Sequence, residues 1–138
     1  MGEPAEPRSL FPFLIAALLI LAAGAVGFVW HRKSRAERIA IAKSEIKNLK
    51  IVLTIYEVDN EALPTTAQGL DALLRKPTLA PLPKRWIGPY WDEIKIPLDP
   101  WGNPYFYRNP GLRTGFAWDL FSAGPDGLPD TPDDIVHF

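Results

Sequence analysis

Apolar residues in this chain follow two patterns, and the change between them falls near position 30. Residues 10–30 are apolar throughout and carry no charge. At ~1.5 Å rise per residue, ~21 helical residues reach ~31 Å, about the hydrocarbon thickness of a bilayer. From His31 onward charges enter, yet Ile39, Ala42, Ile46, Leu49, Leu53 and Tyr56 recur at spacings of three and four. That is a narrow apolar stripe on an otherwise charged helix. No proline or glycine interrupts residues 29–60. The pattern predicts one long helix with a transmembrane half at 10–30 and a soluble amphipathic half at 31–60. The stripe of the second half requires something to pack on.

Residues 1–9 are polar, contain Pro4 and Pro7, and read as a short tail. Pro12 sits where the first turn of a helix tolerates it. Ala23-Gly24-Ala25 has the small-x-small form of a signal-peptide cleavage site, which keeps a cleaved signal peptide open. The apolar run continues through Val26, Phe28, Val29 and Trp30, longer than a usual signal core, and favours a retained anchor.

Residues 61–138 read as the globular part. Asn60-Glu61-Ala62-Leu63-Pro64 ends the helix. Thr65 and Gln68 have capping-box spacing, and Leu70, Leu73 and Leu74 follow at helical spacing. A short second helix, stopped by Pro77, is expected to lay its leucines on the stripe. Prolines at 77, 81, 83, 89, 97, 100 and 104 then exclude regular helix. Trp86, Tyr90, Trp91, Trp101 and Tyr105 lie among them. Such aromatics either form the core of a small domain or a face that binds peptide or glycan. Core is the preferred reading, and burial of Trp86, Trp91, Trp101 and Trp118 discriminates between the two. Asp99-Pro100-Trp101-Gly102-Asn103-Pro104 is a dense turn signal. Residues 105–108 read as a strand, Asn109-Pro110-Gly111 as a turn, and 116–122 as the antiparallel partner. A sheet this small needs the helix to cover one face.

Composition sharpens this picture in three ways. The chain has 138 residues and a net charge of −1, enough for one small domain beyond the helix. Its charges are unevenly placed. Arg32, Lys33, Arg35, Arg38, Lys43, Lys47 and Lys50 make the base of the helix basic. That run reads as a solvated face beside a membrane rather than a site for nucleic acid or anionic lipid. There are no cysteines, so neither disulfides nor thiol chemistry arise. His31 and His137 have no nucleophile beside them, and no glycine loop cradles phosphate, so the chain reads as non-enzymatic, with no small-molecule substrate.

Asp119, Asp126, Asp130, Asp133 and Asp134 lie in the last stretch, with no lysine or arginine after Arg113. Over residues 119–135, proline and glycine are read as ruling out regular structure. Clustered carboxylates repel unless solvated or neutralised. Oxygen donors without His or Cys suit calcium rather than zinc, although the spacing is not that of an EF-hand. A solvated acidic loop is the other reading.

Several motifs together resemble the major pseudopilins of type II secretion systems. They are Tyr56-Glu57-Val58-Asp59-Asn60, Leu63-Pro64-Thr65-Thr66, Gln68-Gly69-Leu70, Lys76-Pro77, Pro81-Leu82-Pro83-Lys84 and Gly88-Pro89-Tyr90. The turn from Asp99 through Tyr105, Ser122-Ala123-Gly124-Pro125-Asp126-Gly127 and Asp133-Asp134-Ile135 complete the set. The resemblance covers residues 35–135. It implies an α+β, type IV pilin-like fold, with a long N-terminal helix packed on a small antiparallel sheet. It implies a structural subunit that assembles with copies of itself or other pseudopilins. It also implies Ca2+ held by Asp126, Asp133 and Asp134, with backbone carbonyls near Ala123 and Leu128. The basic residues after residues 10–30 favour a cytoplasmic C-terminal domain by the positive-inside rule. The resemblance implies the opposite, an inner-membrane single-pass protein with a periplasmic domain. The chain departs from the family at Glu6-Pro7-Arg8-Ser9-Leu10-Phe11-Pro12. That stretch lacks the family's glycine cleavage site and has Leu10 about where a glutamate is expected.

Overall fold

A computed structural model describes residues 34–113, 115 and 117–136. The expected tail, the transmembrane half at 10–30 and the departure around Leu10 lie outside the described residues. Among those described, no helix is long and apolar enough to cross a membrane.

Helix α1 spans Arg35–Asn60. The stripe is its inner face, as the period predicts: Ala42, Ile46, Leu49 and Leu53 are fully buried, and Tyr56 nearly so. The helix stops where Glu61 takes a left-handed conformation, φ 59°, a few residues before Pro64. Asn60 is buried there and is bonded on both sides of its amide. Its Nδ2 donates to the Tyr56 carbonyl at 2.9 Å and to the Tyr90 hydroxyl at 3.1 Å, and its Oδ1 accepts from Arg85 N–H at 3.1 Å. The helix end is thereby tied to the proline-rich segment.

The expected second helix is replaced by one 3-10 turn, Leu70–Leu73. The capping box does form. Gln68 N–H donates to Thr65 Oγ1 at 3.2 Å, and Thr65 N–H donates to Gln68 Oε1 at 2.9 Å. Gly69, at φ 60°, then turns the backbone out of the right-handed region, so no α-helix propagates. Leu70 and Leu73 still reach the core, whereas Leu74 is only half-buried.

Three antiparallel strands follow: β1 Phe106–Arg108, β2 Asp119–Ser122 and β3 Ile135–Val136, in the order β1-β2-β3. β1 and β2 lie within the expected strands. β3 corrects the reading of residues 119–135 as irregular, because Ile135 pairs with Ser122 and Val136 with Phe121. A short 3-10 turn, Gly124–Asp126, also breaks the loop.

Strand periodicity gives the sheet two different faces. Tyr107, Leu120 and Ile135 join the α1 stripe in one core, on which the helix lies. Phe106 and Phe121, paired in register, point the other way and stack with ring centroids 5.3 Å apart. Trp86, Trp91, Trp101 and Trp118 are half-buried against the helix-side core rather than gathered on a shared exposed face. Trp86 Nε1 donates to the Ala72 carbonyl at 3.0 Å. The aromatics are therefore structural, and the peptide- or glycan-binding alternative loses its motivating feature.

Candidate functional site

The acidic loop leaves the buried end of β2 and returns as β3. Its base is braced by Asp99, an acid that the sequence presents only as part of a turn. Asp99 Oδ1 accepts from Trp101 N–H at 3.0 Å and Asn103 N–H at 2.8 Å. Its Oδ2 accepts from the Ser122 hydroxyl at 2.5 Å, and Ser122 Oγ in turn accepts from Gly124 N–H at 3.1 Å. Asn103 Nδ2 adds a bond to the Gly124 carbonyl at 3.2 Å. The Asp-Pro-Trp-Gly-Asn turn is thus the footing of the loop. An aspartate that bonds the backbone two residues on is the local signal that marks it.

Gly124 has φ 67°, and a side chain there would run into the Asp133 carbonyl. The loop closes on itself only because that position is glycine. Around this closure lie the expected ligands. Asp126 is exposed; its Oδ1 accepts from Leu128 N–H at 2.9 Å, and its own N–H donates to Asp133 Oδ2 at 3.4 Å. Asp133 Oδ1 accepts from the Thr131 hydroxyl at 2.6 Å, and that bond above all holds its carboxyl below the usual carboxylate value. The Asp134 side chain is 3% exposed. Its Oδ2 accepts from Asp130 N–H at 2.9 Å and pairs with Arg113, while its Oδ1 has no partner. Ala123 is fully buried, Leu128 is exposed, and the Leu128 carbonyl accepts from Thr131 Oγ1 at 3.3 Å.

No lysine or arginine follows Arg113 in the sequence, yet the fold brings Arg108 and Arg113 themselves onto these acids. Arg108 grips Asp130 with two bonds, 2.9 and 2.8 Å, and so depresses the Asp130 carboxyl. Arg113 reaches both Asp134 and, at 3.6 Å, Asp130. Asp119 is turned inward, its Oδ2 accepting from the N–H groups of Leu112 at 2.8 Å and Arg113 at 3.3 Å. The acids are thus largely neutralised or bonded by the protein itself. Among the described residues, no group of three or more His, Cys, Asp or Glu side chains is gathered as a ready-made metal cluster. The donor chemistry nevertheless fits a calcium ion: oxygen ligands throughout, a backbone bent by Gly124 and Gly127, and a buried Asp134 oxygen without a partner.

This helix-on-sheet arrangement has a close solved counterpart. The crystal structure of the major pseudopilin from the type 2 secretion system of enterohaemorrhagic Escherichia coli superposes with a TM-score of 0.63 at 41% identity. The match covers 71% of this chain and 83% of that one. The family model "Type II secretion system (T2SS), protein G" matches residues 29–137. The chain belongs to the type II secretion system protein G family. Curated relatives agree. Core protein G of Pseudomonas aeruginosa is 45% identical over 83% of this chain and 78% of its own length. Its counterpart in Escherichia coli K12 is 39% identical over 91% of this chain and 83% of its own. The family is one of structural pseudopilins, and this protein is a non-enzymatic structural subunit of a type II secretion apparatus.

Proposed function

We propose that residues 10–30 anchor the protein in the inner membrane as a single span. The folded part then stands on the periplasmic side, and copies assemble with one another and with other secretion-apparatus subunits. One observation carries the assembly reading. Ile51, Ile55 and Val58 are 51%, 50% and 76% exposed and recur at spacings of four and three. At about 100° per residue they lie roughly 180–240° around α1 from Leu49. The helix therefore keeps a second apolar stripe, opposite the first, that its own domain leaves uncovered. Changing Ile55 and Val58 to glutamate in the full chain is expected to abolish cross-linked multimers in membranes while leaving the thermal midpoint close to that of the parent. Multimers that survive the double change would overturn the reading.

The second part of the proposal is Ca2+ in the acidic loop. Asp126, Asp133 and Asp134 would supply side-chain oxygens, and Ala123 and Leu128 backbone carbonyls. When bound, the ion neutralises the remaining carboxylate charge and orders residues 122–135. Support comes from the oxygen-only donors, the unpartnered Asp134 Oδ1 and the glycine-dependent closure beside Asp133. Thermal unfolding of the full chain in detergent micelles, with calcium chloride and with a chelator, tests it. An identical midpoint in both would leave the loop merely acidic.

A further inference from the structure

The loop carries a cation of its own. Arg113 approaches Asp134 through one nitrogen only, Nη2, although a guanidinium can grip a carboxylate with two parallel bonds. Each partner is left incomplete: Asp134 Oδ1 and Arg113 Nε are both buried without a hydrogen-bond partner. A part-buried charge pair with an orphaned atom on each side gains less than a closed one. Arg108 makes the contrast, since both of its bonds to Asp130 are formed.

Arg113 also has somewhere else to rest. Its guanidinium lies over the Phe121 ring, 4.1 Å from the centroid, and Asp130 is 3.6 Å away and half-exposed. Its backbone is fixed independently of Asp134, because Asp119 accepts from its N–H. Releasing Asp134 therefore strands no unpaired guanidinium. It retains an aromatic face and a solvated carboxylate.

We infer that Arg113 is an exchangeable counter-ion that competes with calcium for Asp134 and so sets the affinity of the loop for the metal. The inference rests on the calcium reading proposed above. Binding free energies are reciprocal: if the guanidinium on Asp134 opposes the metal, the metal loosens Arg113 by the same factor. Arg108 serves as the control because its partner, Asp130, is outside the proposed ligand set.

Calorimetric titration of calcium chloride into the full chain in detergent micelles tests this, using the parent, Arg113→Gln, Arg113→Lys and Arg108→Gln. Arg113→Gln is expected to bind calcium roughly five- to tenfold more tightly. Arg113→Lys, which keeps the charge, and Arg108→Gln should stay near the parent. In the parent, the Arg113 Nε–H resonance should shift as calcium is added, a reading that does not depend on any variant folding. Unchanged or weaker binding by Arg113→Gln overturns the exchange, as does an Arg113 resonance that stays put while the parent binds calcium. A parent that binds no calcium overturns the metal reading itself, and the exchange with it.

Discussion

On the helix side of the sheet, Leu49 and Leu53 are buried with Tyr107, Leu120 and Ile135. On the other side, Phe121 is equally buried, but beneath Phe106 and the guanidinium groups of Arg108 and Arg113, which reach on to Asp130 and Asp134. The first side is held by apolar burial, which is non-directional and needs neither a charge partner nor a bound ion. The second depends on charges that must find particular oxygens. One small sheet thus has a face that makes the fold and a face whose stability is conditional, and the conditional face carries the candidate metal loop.

The largest expected effect tests the apolar side. Leu49→Ala should cost about 2–5 kcal/mol, the range for emptying a fully buried leucine site, read from denaturant unfolding. A cost within about 0.5 kcal/mol would place that residue's contribution at the level of a surface position.

Next comes the ion. At one hundred times Kd, calcium that binds only the folded protein adds about 2.7 kcal/mol. Asp126→Ala should remove most of the calcium-dependent rise in the thermal midpoint, and Asp130→Ala much less of it. Equal losses in the two variants would mean that bulk negative charge, not a ligand set, governs the response.

The footing of the loop ranks third. Asp99→Ala leaves the Ser122 hydroxyl and two backbone N–H groups without their acceptor and should cost about 2 kcal/mol. Hydrogen exchange should rise in both residues 122–126 and residues 99–104. Faster exchange in the turn alone would show that the loop does not depend on this brace.

The smallest effect is with pH. Asp130 and Asp133 are held below the ordinary carboxylate value of 3.8, chiefly by hydrogen bonds from Arg108 and Thr131 respectively. A depressed folded-state value contributes stability that is present above the unfolded value and lost as pH falls through the folded one. Acid unfolding of the parent should therefore steepen below pH 3.8, and Asp130→Asn should flatten that limb. Superimposable acid limbs would mean that the Arg108–Asp130 pair adds nothing measurable.

The sequence by itself determined the features that repeat with a fixed period or obey a local steric rule. The pattern predicts helix over residues 31–60 and α1 occupies Arg35–Asn60, with the stripe buried from Ala42 to Tyr56 and Ile39 partly buried at its start. β1, β2 and the turn between them were legible for the same reason, as was the capping box at Thr65 and Gln68. Tertiary structure decided what has no period. Gly69 turned the expected helix into a single 3-10 turn, a choice that rests on one backbone angle. β3 is two residues long, too short for alternation to register, and exists because β2 offers it an edge. The acids of the loop could be counted in the sequence, but their partners could not. Arg108 and Arg113 stand 22 and 21 positions before Asp130 and Asp134, and only the folded sheet brings them together. Coulomb attraction acts through space and leaves no spacing along the chain.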